Sequence, residues 1–75
     1  MFKTGDVVIW SRNFSNRVSF EVCRIQKINQ HKYSVFFYSQ KDGQTMVRSV
    51  FKDNICRLAR DSERAVFYDR IKNYG

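Results

Sequence analysis

The sequence predicts a mainly β fold: a small five-stranded barrel finished by one C-terminal α-helix. Three observations carry this expectation. Short runs of strand-forming residues recur along residues 7–59, separated by polar or glycine-containing turns. In the tail the apolar spacing changes from a period of two to that of a helix. The chain has 75 residues, enough for one domain burying about 60% of the surface its unfolded form exposes, and so small an antiparallel sheet shields its edges most simply by closing on itself.

The elements follow in order. Gly5-Asp6 marks a turn, and Val7-Val8-Ile9-Trp10 is rich in strand formers. Residues 11–19 read as a polar loop carrying Arg12, Arg17 and one aromatic, Phe14. A long second strand spans Phe20 to Ile28. Its alternation slips, with Phe20 and Val22 in one phase and Cys23 and Ile25 in the other, which a bulge or sharp bend explains. After the turn Asn29-Gln30-His31-Lys32, a third strand puts Tyr33, Val35 and Phe37 on one face and Phe36 and Tyr38 on the other. Asp42-Gly43 is a hairpin signal. Thr45 to Val50 forms the fourth strand, Phe51 to Asn54 a tight turn or single helical turn, and Ile55 to Ala59 a fifth strand. Asp61 or Ser62 caps the closing helix, whose apolar face carries Val66, Phe67, Ile71 and Tyr74. The barrel thus occupies residues 1–60 and the helix residues 61–75, packed on the barrel or on a partner. The start at Met1 and the absence of any linker point to a whole small protein.

Composition bounds the function. Fourteen Lys and Arg stand against seven Asp and Glu, a formal net charge of +7. That balance excludes an acidic mimic of nucleic acid and favours a polyanionic partner. No apolar run reaches the roughly 18 residues of a membrane span, and the N-terminus lacks a signal-peptide core. The expected setting is intracellular, cytoplasmic or nuclear, or nucleoid-associated if the source is bacterial or viral, with no membrane contact. Cys23 and Cys56 are isolated in strand-like segments and His31 is the only histidine. They lack the close-spaced ligand pairs of a zinc site and read as reduced thiols. There is no Gly-rich phosphate loop and no nucleophile–base spacing, so the expectation is a non-enzyme without cofactor or metal.

The order of these pieces carries a resemblance. Gly5-Asp6-Val7-Val8, Phe20-Glu21-Val22, Tyr33-Ser34-Val35-Phe36-Phe37-Tyr38 and the closing segment Val47 to Leu58, with Asp53 in its turn, resemble the SH3-like barrels of the Tudor and PWWP chromatin-reader families over Phe2 to Leu58. The resemblance implies an SH3-like, Tudor-like barrel and, for PWWP domains, a following helix. It also implies an aromatic cage for methylated lysine or arginine, held by cation–π attraction. Candidate cage rings are Trp10, Phe14, Phe20, Phe36 and Tyr38, and either Arg12 or Phe14 stands where a first cage aromatic belongs. The chain departs from both families. Ser39-Gln40-Lys41 replaces the Tudor Asp-Tyr-Gly, and the PWWP signature is missing from a chain without proline.

Phe20, Phe37 and one face of Tyr33 are expected to fill the barrel. Phe36 and Tyr38 then offer a seat for the helix or for a partner. Residues 7–40 hold Arg12, Arg17, Arg24, Lys27 and Lys32 against the single acid Glu21, and Arg48 and Arg57 can join them from neighbouring strands. Arginine suits bidentate phosphate contact. Three functions follow, in this order: a nucleic-acid-binding barrel gripping phosphates with weak sequence preference, DNA favoured over RNA, with Trp10 or Phe14 near its mouth; a Tudor-like reader of methylated tails on chromatin; and a protein-interaction module, such as a viral or accessory regulator, docking a host enzyme through Phe36 and Tyr38 or the helix.

Overall fold

The computed structural model describes the backbone of residues 2–74 and the side chains of that range other than Phe14, Asn73 and Tyr74. Five antiparallel strands form one sheet: β1 (Val7–Phe14), β2 (Arg17–Ile28), β3 (Lys32–Ser39), β4 (Gln44–Phe51) and β5 (Ile55–Leu58). A helix, α1 (Asp61–Tyr74), follows. The strand order is β4-β3-β2-β1-β5.

The connection between the edge strands rolls this sheet up. Laid flat, five strands would separate β4 from β5 by about 19 Å at ~4.8 Å per strand. They are joined by a 3₁₀ turn, Lys52–Asn54, which spans only about 8 Å at ~2 Å per residue. The edges must therefore converge. Val50 of β4 and Ile55 of β5 accordingly share one core with Val8, Trp10, Cys23, Ile25, Tyr33, Val35 and Phe37. The expected inward phase of β3 fills the barrel, and Trp10 meets Phe37 edge-on at 5.3 Å.

The region read as a loop over residues 11–19 is instead a hairpin. β1 and β2 pair without interruption from Val7↔Arg24 to Phe14↔Arg17, leaving Ser15 and Asn16 as the turn. The continuous register also relocates the slip in β2. Phe20 and Val22 lie on the outer face of a regular strand, and the extra residue is Gln26, where pairing with β3 shifts. Phe20 therefore does not fill the barrel; it is 65% exposed. A second irregularity sits in β5, where Cys56 is passed over between Arg57↔Ile9 and Ile55↔Trp10.

The β3–β4 turn obeys its Asp-Gly signal. Gly43 takes φ +66°, and its N–H donates to the Ser39 carbonyl at 2.8 Å. The Ser39 hydroxyl donates to Asp42 at 3.0 Å, which satisfies a buried polar side chain.

α1 packs against β2, β3 and β4. It lies on the outer face: Glu63 lines a recess there with Ile9, Phe20 and Val22, and Val7 and Ile9 are buried although they point away from the core. Phe67 is buried and Ile71 half-buried on the sheet side. Val66, expected beside them, is exposed, and the Tyr74 side chain is outside the described residues. Neither Asp61 nor Ser62 caps the helix. Glu63 reaches back instead and accepts from the Arg60 N–H at 2.8 Å, the returning half of a capping box.

Candidate functional site

Where the β1–β2 hairpin extends past the core, the concave side of the rolled sheet opens into a cleft of about 650 Å³. Strand alternation decides what lines it. Arg12 continues the inward phase of Val8 and Trp10, Arg17 and Glu21 that of Cys23 and Ile25, and Arg48 lies two residues before the inward Val50. Lys41 joins them from the β3–β4 turn. Four cations from four segments of the chain thus face one opening.

Within the cleft Arg12 is held over aromatic rings, its guanidinium 4.7 Å from the Trp10 centroid and 5.6 Å from that of Phe37. Its nearest Glu21 contact is 3.7 Å, a long single-point ion pair. Burial pushes the Glu21 carboxyl above its ordinary range, against the opposing pull of Arg12 and Arg70. Arg48 and Lys41 form no ion pair with any described residue.

Beyond the end of β5 the edge of β1 has no strand partner on that side from Ser11 onward among the described residues. It faces the open edge of β4 across a groove that shares Arg12 and Arg48 with the cleft and runs on to Phe51. Past Phe51 a further recess is lined by His31, Lys52 and Asp53. Phe51 is 57% exposed, and the Lys32 ammonium lies 4.5 Å from its centroid.

Only part of the predicted basic face comes together. Arg12, Arg17 and Arg48 converge on the cleft. Arg24 points to the outer side and lies 5.0 Å over the Phe36 ring. Lys27 and Lys32 sit at the far end of the sheet, ten or more residues along β2 and its turn, about 30 Å from Arg17 if the strand were straight. Arg57 is engaged in a bidentate pair with Glu63 at 2.8 and 3.0 Å on the outer side.

The aromatic candidates are also divided. Trp10 is 7% exposed and belongs to the core, while Phe36 and Tyr38 are half-buried on the opposite face, where the helix packs. These three rings do not converge. The Phe14 side chain lies outside the described residues. Sequence reasoning missed Lys41 and Phe51. Lys41 sits in a turn beside Asp42, with no periodic signal. Phe51 follows the inward Val50, so parity along β4 could have marked it as outward.

Cys23 is buried, with its thiol pushed up to about 12 by burial and by nearby Glu21; Cys56 is exposed, and neither forms a disulfide. No group of three His, Cys, Asp or Glu among the described residues could hold a metal ion, and no helix among them is long and apolar enough to cross a membrane. The chain matches no protein-family description, no curated protein and no solved structure.

Proposed function

We propose that this protein is a nucleic-acid-binding module that acts by contact rather than chemistry, gripping phosphates at the concave cleft with little sequence preference. The observation that supports this best is the convergence of Arg12, Arg17, Lys41 and Arg48 on one opening from four chain segments. Arg48 and Lys41 carry their charge there without an acidic partner among the described residues. Phosphate affinity of this kind comes largely from counterion release. The Tudor-like resemblance contributes an architecture to this reading; among the described side chains, Trp10 lies inside the sheet and Phe36 and Tyr38 on its outer face.

Fluorescence anisotropy with labelled DNA and RNA, in duplex and single-stranded form, tests the reading at two or more salt concentrations. Four phosphate contacts predict that log K falls with log salt at a slope of about −3 to −4, from ~0.7–0.9 per phosphate. Arg48→Ala and Lys41→Ala remove exposed side chains that the fold does not need. Each should weaken binding and reduce the slope by about one contact's share. Absence of binding at low salt, or binding indifferent to both substitutions, overturns the proposal.

A further inference from the structure

The cleft does not end at its four cations. Arg12 and Arg48 belong both to the cleft and to the groove between β1 and β4, and that groove leads to Phe51. Phe51 in turn borders the recess of His31 and Lys52, and Lys32 lies on its ring. The result is one track that begins with the cleft cations and ends at an exposed aromatic ring with Lys32 on its face and Lys52 and Asp53 in the adjoining recess.

Resting on the nucleic-acid reading above, we infer that the strand bound is single, that it lies along the β1–β4 groove, and that a base stacks on Phe51. Two features argue for this. In a duplex the bases already stack on one another, whereas an unpaired base has a free face for an aromatic ring, and basic grooves studded with rings are how proteins hold single strands without sequence preference. The groove is also walled by two strand edges without a partner, β1 from Ser11 onward and β4. Their outward N–H and C=O groups can meet base edges, which only an unpaired strand exposes to them. Lys32 and Lys52 then flank the stacked base and neutralise its adjoining phosphates. Lys52 is held 5.3 Å over the Tyr33 ring at the rim.

The test compares an unstructured 12-mer of thymidine or uridine with a 12-base-pair duplex at equal salt, using the full chain. Single strand should bind about tenfold or more tightly than duplex. Phe51→Ala should lower single-strand affinity by about tenfold or more while leaving the salt slope unchanged, because stacking releases no counterion. Phe51→Trp should retain affinity, and its added indole emission, measured against the parent chain with Trp10, should be quenched by the strand. Circular dichroism checks that both variants fold, as expected for a residue that is mostly exposed. If Phe51→Ala binds like the parent, or duplex binds as tightly as single strand, while Arg48→Ala still weakens binding, the stacking track is wrong and the phosphate cleft stands. If no nucleic acid binds at all, both fall.

Discussion

Two arginine–glutamate pairs lie on opposite sides of the same sheet, and their carboxylates are displaced in opposite directions. On the concave side Arg12 and Glu21 meet at a single long contact of 3.7 Å, and burial raises Glu21. On the outer side Arg57 and Glu63 form two short hydrogen bonds. With the Arg60 N–H added, they lower Glu63 to about 2. Desolvation and pairing compete at every ion pair. In the cleft desolvation prevails over the pull of Arg12. Outside, solvent hydrates the charges and geometry prevails. The outer pair therefore fastens the start of α1 to β5, whereas the inner pair leaves a partly desolvated carboxylate beside a cluster of cations. The first behaves as structure, and the second borders the cleft proposed to bind phosphate.

The sharpest way to break this contrast is to truncate the ring beneath each side. Phe37 has no exposed surface and supports Trp10 and Arg12. Phe37→Ala should cost about 3–5 kcal/mol, much of the ~4–11 kcal/mol expected for a domain of this size. Phe67 lies outside the main core, on the buried side of α1 itself. Phe67→Ala should cost clearly less, about 2–3 kcal/mol, because the helix can lift away and leave little cavity behind. Urea titration followed by circular dichroism reads both. In Phe67→Ala, helical signal should be lost before sheet signal. Equal costs with a single coincident transition would mean that the two faces form one cooperative core.

The sequence read the inward side of this sheet well and its ends poorly, for a physical reason. Tyr33, Val35 and Phe37 announce a core because a half-buried strand alternates. Asp42-Gly43 announces its turn because Gly43 takes a positive φ. The β1–β2 hairpin past Trp10 has both faces at or near solvent, so Ser11, Arg12, Asn13, Ser15, Asn16 and Arg17 show no apolar period and read as a loop. The cleft cations were hard to group for a related reason. Arg17 and Arg24 are neighbours on β2 but seven residues apart, which places them on opposite faces. Arg48 reaches Arg12 only because the three-residue link between β4 and β5 rolls the sheet. Long-range register, invisible in local pattern, decides which charges meet.

The smaller effects come from the glutamates themselves. Glu63→Gln keeps the cap on the Arg60 N–H, since glutamine also accepts in a capping box, but loses the charge. A lowered folded pKa means that the unfolded chain binds the proton more readily as pH falls. Glu63 therefore contributes stability above its ordinary value of 4.5, and that contribution drains away as pH falls toward about 2. Glu63→Gln should be less stable at pH 7 and show a flatter acid limb between pH 5 and 2. Glu21 has the opposite sign: its raised pKa lets the folded state keep the proton longer, so its contribution declines as pH rises through the window above 4.5. Glu21→Gln should be no less stable than the parent at pH 7. A clear loss there would show that pairing with Arg12 outweighs burial, and the contrast between the pairs would collapse.

The least perturbing probe of the two sides changes no residue. Cys23 points into the core with its thiol pushed up to about 12, while Cys56 is exposed on β5. Thiolate is the reactive form, so reactivity follows both access and ionisation. At pH 8 a maleimide or disulfide reagent should modify one thiol per native chain, at Cys56, and two after denaturation, with the site read by mass spectrometry. Reaction at Cys23 should be limited by opening of the barrel rather than by reagent concentration. Helix undocking alone should leave it protected, since Cys23 faces the core and α1 covers the other side of the sheet. Phe67→Ala should therefore keep the one-thiol count, and Phe37→Ala should raise it. Rapid modification of both cysteines in the parent chain would mean that the barrel opens on the reagent's timescale.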